Sequence, residues 1–512
     1  MAADLEKQDD DTEEVRKIEA KGTPTEQVVG PSTGQSIEAL ARLELLKTRY
    51  GATWDGPDDP HDPYNWPSYR KISIAVIMSL GQLVTLMCAS MTAAALGDIA
   101  KDLGIDASTA QISFSIYFLG LAFGPLVLAA ISEMNGRRNV WLFANVWFIL
   151  WNSLCPVGNS KGLMIAGRFL AATGACVGNT ILAPVMADMY PAKDRGRSLA
   201  IAGLLPYLGP ALGPIVGGAV VQLVAWRYIF WIMSIVNAVI TVVGAVFIRE
   251  SYTPVLLGRK AAAEAERPVD PALSPRKWTF WQDLLSRLAT NLRRPIHLLV
   301  RRPVIQVLAL VLALDFGIYT LLLSSFATLW IERYGQSQLS SSLHYISFSV
   351  GSTISTQAGA RFMDWVYNHL VKKYGSGRPE FRVPYMIPGT ILMPVGLFWY
   401  GWSAERRLSW ALVDVGAGVF TCGNFILSQS LLAYMLDEFG EHGASARAAS
   451  GLLSQILGFI FPIFAPQLYD TLGYGWGNSI LAFIFVALVF PLPLCVWLWG
   501  DKLRALGRKP GA

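Results

Sequence analysis

Long apolar stretches alternate with short polar connections over most of the chain, from residue 72 to residue 500. Each stretch has roughly 20 residues, which is about the length that an α-helix needs to cross the hydrocarbon core of a bilayer. Twelve such stretches can be counted, so the pattern predicts an all-α membrane protein with twelve transmembrane helices. The predicted spans lie near Ile72–Leu96, Thr109–Ile131, Val140–Val157, Leu163–Met186, Ser198–Leu223, Tyr228–Ile248, Val304–Ile331, His344–Tyr367, Pro384–Trp402, Trp410–Leu436, Ala449–Leu468 and Asn478–Gly500.

A polar segment divides the spans into six and six. It runs from residue 249 to residue 302 and holds 11 Lys or Arg against 5 Asp or Glu, which predicts a basic loop. Residues 71–248 and 303–500 would then form two six-helix bundles. Residues 1–70 hold 15 acidic and 8 basic side chains, and this composition predicts a largely disordered acidic tail. Residues 501–512 would form a second tail.

The distribution of positive charge predicts which side of the membrane each loop faces, because Lys and Arg in short loops are retained in the cytoplasm. The loops after even-numbered spans and the C-terminal tail hold most of them. The loops after odd-numbered spans hold only Lys101, Lys161, Arg227, Arg333, Arg406 and Arg407. Both tails and the basic loop are therefore predicted to be cytoplasmic. We expect the positive charge of these cytoplasmic segments to interact with the anionic inner leaflet of the membrane and not with nucleic acid.

Three motifs narrow the class of membrane protein. Gly124–Arg138 combines a glycine, an acid and a Gly-Arg-Arg sequence at the end of the second span. Gly167–Leu170 places an arginine inside the fourth span, and Leu208–Gly218 repeats glycine and proline in the fifth. Together with the number of spans, these motifs resemble those of the major facilitator superfamily. The third is similar to the motif of its drug:proton antiporters.

Four flanking sequences narrow the resemblance to fungal twelve-span drug:proton antiporters. They are Asp62–Pro67, Arg249–Leu257, Arg378–Pro384 and Tyr434–Asp437. The resemblance implies the major facilitator fold and export of a drug, a polyamine or a secondary metabolite, for example a toxin such as cercosporin, in exchange for protons. We expect a monomer in the plasma membrane, or else in the vacuolar membrane, that needs no cofactor beyond the proton gradient.

Three ionisable residues inside the predicted spans are candidates for proton coupling. An ionisable side chain in hydrocarbon costs at least ~2.5 kcal/mol unless it is paired or hydrated, so each should face the interior. Asp315 in the seventh span is the best buried acid, because burial would let it bind and release a proton near neutral pH. Arg168 in the fourth span is either a cation that changes partners or a fixed bridge to backbone carbonyls. Asp414 in the tenth span is either a second proton-binding acid or a hydrated cavity residue.

A charged cluster after the second span is the candidate for a conformational gate. It comprises Gly124, Glu133, Gly136, Arg137 and Arg138. The resemblance implies that such a cluster links the two halves in the outward-facing state. Asp364 occupies the same place after the eighth span. Ordinary positive charge at a cytoplasmic loop would explain the two arginines but not the acid with its glycine.

Polar and aromatic residues within the spans are predicted to line a substrate cavity. They are Gln82, Tyr117, Asn179, Tyr207, Tyr319, Gln357, Asn424 and Gln429. Each of them could instead hydrogen-bond to a neighbouring helix. Together they describe an amphiphilic cavity without strong charge, which favours a neutral or weakly acidic aromatic substrate over a polyamine.

The fifth span is rich in two residue types that weaken a helix. Its motif contains Gly209, Pro210, Gly213, Pro214, Gly217 and Gly218. Small residues let a neighbouring helix approach closely, and proline removes a backbone donor and bends the helix. The stretch is therefore predicted to be a bent seam between the two halves, opposite the eighth span.

Other chemistry is not indicated by the sequence. There is no GxxxxGK[ST] loop for ATP and no GxSxG or HExxH motif. The five cysteines lie in apolar stretches without ligand spacing, so neither a disulfide framework nor a metal site is expected. The protein is also not expected to be an enzyme. Two alternatives to an exporter remain. One is a proton-coupled nutrient importer of the same fold, and the other is a non-transporting membrane sensor or scaffold.

Overall fold

The computed structural model of the protein describes residues 40, 42–48, 50, 52–191, 194, 198–199, 202–203, 205–206, 208–264, 286, 288–289, 296–297, 299–375, 377–439 and 443–505. All regular structure in these residues is helical, which confirms the predicted all-α class. The helices are α1 (Ser68–Met91), α2 (Leu96–Leu103), α3 (Ala107–Asn135), α4 (Arg137–Leu154), α5 (Lys161–Ala175), α6 (Val177–Met189), α7 (Gly209–Leu223), α8 (Arg227–Phe247), α9 (Thr253–Glu264), α10 (Pro303–Thr328), α11 (Gln338–Leu343), α12 (Ile346–Tyr374), α13 (Val383–Glu405), α14 (Trp410–Phe439), α15 (Gly443–Val489) and α16 (Pro491–Ala505).

Eight helical segments of the described residues are long and apolar enough to cross a membrane. The last of them, Ala446–Gly500, is 55 residues long and covers the eleventh and twelfth predicted spans. It is interrupted at Gly473, whose φ of 70° and ψ of 174° are not helical. Helices α4, α7 and α12 occupy the third, fifth and eighth predicted spans but are shorter or more polar. The number of twelve crossings stays a prediction.

Helix ends fall where the sequence supplies caps. The Asp106 side chain accepts a hydrogen bond from the backbone N–H of Thr109 at 3.0 Å and so begins α3. Gly104 ends α2 and Gly375 ends α12, and both adopt the left-handed conformation that glycine tolerates best. Pro303 stands in the first turn of α10, where its missing N–H costs no hydrogen bond.

The helices of each half pack mainly on one another. In the first half, α1 packs on α7 and α8, and α5 packs on α3 and α4. In the second half, α13 packs on α14 and α15, and α10 packs on α15. The halves meet where α3 lies against α15 and where α7 lies against α11. These contacts set the boundary beside which the candidate site lies.

The glycines of α7 pack against α1, which differs from the predicted position of the seam. A Cβ at Gly209 would lie 2.7 Å from the Cβ of Leu86, and one at Gly217 would lie 2.7 Å from the carbonyl oxygen of Met91. Gly213 approaches α1 in the same way. Only Gly218 of these glycines meets the second half, through α11. The predicted close approach is therefore present, but its main partner is the first span and not the eighth.

One of the two prolines of the motif differs from expectation. Pro210 stands in the first turn of α7, so it begins the helix and does not bend it. Pro214 lies inside α7. At this position proline removes one backbone hydrogen-bond donor from the helix, as predicted.

The described part of the acidic N-terminal segment packs on the rest of the protein, and the prediction of a largely disordered tail stays a prediction. Trp54 is 4% exposed and packs with Leu257 of α9, which is 0% exposed. The guanidinium of Arg42 donates two hydrogen bonds to the Asp62 carboxylate, at 2.7 and 3.2 Å. Residues 1–39 lie outside the described residues.

Candidate functional site

Asp315 lies in α10 and is fully buried between α10 and α14. The residue is 0% exposed, and Ser428 Oγ donates a hydrogen bond to its Oδ2. Asn424 Nδ2 donates to its backbone carbonyl at 3.2 Å. The second carboxyl oxygen is buried without a hydrogen-bond partner, and no described cationic side chain pairs with the acid. The structure thus holds a carboxyl group inside the protein without a compensating charge.

An aromatic wall adjoins Asp315 and crosses the boundary between the halves. Its rings are Phe118, Phe316, Tyr319, Phe348 and Phe425. Phe316 meets Phe118 of α3 edge-on, with ring centroids 5.6 Å apart. The Tyr319 ring contacts three of the others at centroid distances of 6.1 to 6.3 Å. Phe316 and Phe425 are the partly exposed rings of this wall, so an aromatic solute could stack or pack edge-on against them.

The predicted cavity residues do not all come together. Tyr319 belongs to the aromatic wall, and Asn424 hydrogen-bonds to the backbone of Asp315. Gln82 of α1 and Asn179 of α6 hydrogen-bond to each other through their amides. Gln357 is exposed and Gln429 is half-buried, and among the described residues no hydrogen bond joins either of them to this site. Tyr207 lies outside the described residues.

Arg168 of α5 is fully buried and bonded to backbone carbonyls. Its guanidinium donates to the carbonyl oxygens of Cys88 at 3.0 Å and Ser113 at 3.3 Å. The ring of Tyr117, whose hydroxyl donates to the carbonyl of Thr85 at 3.0 Å, has its centroid 4.3 Å from the guanidinium carbon. These contacts tie α5 to α1 and α3, as the interpretation of Arg168 as a fixed bridge requires. A change of partner during transport stays a prediction.

Asp414 of α14 pairs with a histidine that the sequence did not indicate. Its Oδ2 lies 2.7 Å from His344 Nδ1, and His344 Nε2 lies 3.0 Å from Gln336 Oε1. Trp330 stacks on the imidazole with 3.7 Å between ring centroids. The pair borders a cavity of about 830 Å³ whose other lining residues are mostly apolar. Asp414 is about 15 to 21 Å along α14 from Asn424 and Ser428, whose side chains contact Asp315, so the two acids form separate sites.

Glu250 caps the start of α4 at the predicted gate. Its Oε1 accepts a hydrogen bond from the backbone N–H of Arg137 at 2.8 Å, and its Oε2 accepts one from that of Arg138 at 3.2 Å. A carboxylate at this position also interacts favourably with the helix dipole. Gly136, with a φ of 90°, makes room for it, since a Cβ there would lie 2.6 Å from the Glu250 carboxyl carbon. The glycine of the motif therefore has a structural reason.

Arg137 extends this contact to the end of α6. Its Nε donates to Asp188 Oδ2 at 3.3 Å, and its Nη1 donates to Ser132 Oγ at 2.7 Å. The guanidinium carbon lies 4.3 Å from the ring centroid of Tyr252. This first arginine cluster joins α3, α4, α6 and the segment after α8. Among the described residues, none of these contacts reaches the second half.

A second arginine cluster occupies the matching place in the other half. Arg382, just before α13, donates to Asp437 Oδ2 at 2.8 Å and to Asp364 Oδ1 at 3.1 Å. Asp437 lies near the end of α14, as Asp188 lies near the end of α6. The predicted counterpart Asp364 thus belongs to an ion-pair cluster. Sequence analysis assigned no role to Arg382, Asp437 or Glu250, although three of the flanking motifs contain them.

The two remaining gate residues, Gly124 and Glu133, lie in α3. Gly124 lies against α5, where a Cβ would be 3.0 Å from the Cα of Thr173. It therefore permits the close packing of α3 on α5. Glu133 is exposed two residues before the end of α3.

Replacement of Glu250 by alanine is expected to destabilise the protein. The change removes a helix cap, which is typically worth about 0.5–2 kcal/mol, and it leaves the N–H groups of Arg137 and Arg138 without their acceptor. We expect a lower midpoint of thermal unfolding in detergent. Tryptophan fluorescence measures this midpoint. Glu133→Ala, at an exposed acid near the same end of α3, should change the midpoint much less. Equal midpoints for Glu250→Ala and the parent chain would contradict the capping role.

Comparison with known proteins identifies relatives over most of the chain. The model of the Major Facilitator Superfamily matches residues 78–462. A protein of Aspergillus flavus named "Probable efflux pump mfs2" is 37% identical over 426 residues, which cover 81% of this chain and 98% of the relative. "Efflux pump vrtL" of Penicillium aethiopicum is 34% identical over 458 residues, which cover 89% of this chain and 90% of the relative.

A solved transporter structure has the same fold. The xylose transporter XylE from E. coli, in a partially occluded inward open conformation, superposes with a TM-score of 0.59 at 15% identity. The match covers 84% of this chain and 98% of that chain, and at this identity it shows the fold alone. Transporters with this fold are driven by ion gradients and generally need no cofactor. The chain therefore belongs to the major facilitator superfamily and is a membrane transporter of small molecules, not an enzyme.

Proposed function

We propose that this transporter exports a small amphiphilic, aromatic compound in exchange for protons. The observation that carries the proposal is Asp315, a buried carboxyl group without a counter-ion beside the aromatic wall. A buried charge without a partner is costly, so the acid suits a cycle in which it is protonated when enclosed and releases the proton when water reaches it. Two relatives named as efflux pumps support export as the direction of transport.

The surroundings of Asp315 support an aromatic substrate of the secondary-metabolite, toxin or drug class. The aromatic wall offers apolar surface, and Asn424 offers an amide beside it. A polyamine would require several buried acids to offset its charges, whereas among the described residues Asp315 is the buried acid next to this wall. A photosensitising polyketide such as cercosporin would meet these requirements.

Polar contacts between the halves at one end of the bundle support alternating access. Gln338 Nε2 donates to Asp98 Oδ2 at 3.1 Å, and the backbone N–H of Leu339 donates to Gln222 Oε1 at 2.9 Å. We call these four residues the outer seam, because charge predicts this end to be external. At the opposite end each arginine cluster stays within its own half. Substrate would therefore enter from the cytoplasm or inner leaflet, and release requires the outer seam to open.

The proton gradient supplies enough free energy for this cycle. One charge crossing 100 mV contributes about 2.3 kcal/mol, and one pH unit contributes about 1.4 kcal/mol. A proton from outside would neutralise Asp315 after substrate release and allow the carrier to return. We further propose a monomer in the plasma membrane, or else the vacuolar membrane, with both termini in the cytoplasm.

Retention of an aromatic compound in cells with and without the protein, at two external pH values, tests the function. A proton-coupled exporter should lower retention, and more strongly at the acidic pH. A proton-coupled importer would instead raise retention at the acidic pH, and a sensor or scaffold would leave it unchanged. A chain without residues 1–39 should lower retention as strongly as the full chain, because the proposed transport does not depend on this tail.

A further inference from the structure

A small polar pocket lies where α8 ends at the predicted cytoplasmic surface. Its volume is about 250 Å³. Arg138 of α4, Arg249 after α8 and Arg259 of α9 line it together with Asn139. Three guanidinium groups therefore converge from three separate elements of the fold.

Two acids lie near this pocket but have other partners. Asp55 and Asp59 line an adjoining cavity together with Arg249 and Arg259. Asp55 forms an ion pair with Lys260, and Asp59 accepts hydrogen bonds from the backbone N–H groups of Asp55 and His61.

The arginines of the pocket do not pair with an acid among the described residues. Arg249 and Arg259 are exposed, and neither forms a hydrogen bond or ion pair with another described residue. Arg138 donates to two carbonyls at the end of α8, both at 2.8 Å, which fixes it in place without pairing it with an acid. Glu250 also borders the pocket, but backbone N–H groups already occupy both of its oxygens. The pocket is thus open to an anion.

An exposed apolar surface adjoins the pocket on α8. Val246 lines the pocket and is 73% exposed, and Phe247 beside it is 57% exposed. Val242, one turn earlier, is also exposed. Side chains of this kind on a membrane helix face the acyl chains of lipids, so the pocket lies at the level of the headgroups. The cytoplasmic leaflet is the one that carries anionic lipids.

We propose that this pocket binds the phosphate-bearing headgroup of an anionic lipid in the inner leaflet. A guanidinium can donate two parallel hydrogen bonds to a phosphate, which suits the three arginines. The acyl chains would lie along the exposed face of α8. The bound lipid would then hold α9, and with it the start of the central loop, against α4 and α8.

The test compares anionic and neutral lipids on the purified full-length chain. We expect phosphatidylserine to remain bound in native mass spectra and to raise the thermal unfolding midpoint, and phosphatidylcholine to do neither. The double variant Arg249→Gln and Arg259→Gln should bind phosphatidylserine about 30-fold more weakly, at ~1 kcal/mol for each arginine near an anionic surface. Because both side chains are exposed and unpaired among the described residues, its unfolding midpoint in phosphatidylcholine should equal that of the parent.

A matched control removes two positive charges elsewhere near the same surface. Lys372 and Lys373 are exposed at the end of α12, and Lys372→Gln with Lys373→Gln should keep phosphatidylserine binding. Equal losses in the two double variants, or binding unchanged by the arginine replacements, would overturn the site. An equal rise in the midpoint with inorganic phosphate alone would overturn its assignment to a lipid.

Discussion

Asparagine in place of Asp315 is expected to abolish pH-dependent efflux while substrate binding persists. The amide has nearly the same shape and can still accept the hydrogen bond from Ser428, but it cannot bind and release a proton. Without that step the carrier cannot return with a proton, so we expect efflux at acidic external pH to fall to the level of cells without the protein. The measurement is efflux of an aromatic compound at two external pH values, together with its binding to the purified variant.

Asparagine variants of two other acids show whether this effect is specific to Asp315. Asp364→Asn changes an acid at the end of the second arginine cluster and should leave the pH dependence in place, even if the rate falls. Asp414→Asn tests the separate pair with His344, which is the other candidate for proton binding. If Asp414→Asn removes the pH dependence and Asp315→Asn retains it, coupling belongs to the histidine pair and the role given to Asp315 is wrong.

The positions of the helices could be predicted because hydrocarbon imposes a length and excludes charge. The same reasoning identified Asp315, since an acid in the middle of an apolar stretch must be buried or hydrated. The partners of Glu250, Arg382 and His344 could not be predicted in this way. They lie 113, 55 and 70 residues away in the sequence, and no local periodicity connects them. Such pairs depend on how helices are arranged, which the apolar pattern does not specify.

The glycines of α7 show the same limit of prediction from sequence. Glycines spaced every four residues predict that one face of the helix is approached closely, and a Cβ at Gly209 or Gly217 would indeed collide with α1. The spacing does not say which helix approaches. Gly218, on a different face, meets α11 instead. One motif therefore serves packing within the first half and contact between the halves.

The arrangement of charged contacts gives alternating access a structural basis. Each half has an arginine at or just before the start of its third predicted span that pairs with an acid near the end of its fourth. The pairs are Arg137 with Asp188 and Arg382 with Asp437. These pairs hold each half together at the predicted cytoplasmic end. The outer seam instead joins the halves at the other end through a few neutral or singly charged hydrogen bonds. Opening the seam would break fewer charge-assisted contacts than opening either half.

Cross-linking across the outer seam is expected to stop transport reversibly. Asp98→Cys with Gln338→Cys places two thiols where the native side chains lie 3.1 Å apart, and a short bifunctional thiosulfonate reagent should bridge them. A covalent bridge prevents the halves from separating at this end, so substrate cannot be released outside. We expect efflux to fall to background after treatment and to recover when a reductant cleaves the bridge. Efflux before treatment, after treatment and after reduction is the measurement.

A second pair of cysteines at the same end is the control. It separates the effect of joining the two halves from other effects of the reagent. Asp102 and Arg227 form an ion pair within the first half, so a bridge between Asp102→Cys and Arg227→Cys does not join the halves. It should form and leave efflux nearly unchanged. The native cysteines are buried or half-buried, and a water-soluble reagent should react with them slowly. If the pair at 98 and 338 is bridged and efflux continues, the outer seam does not need to open, and rocking of the halves about a central site is not the mechanism of export.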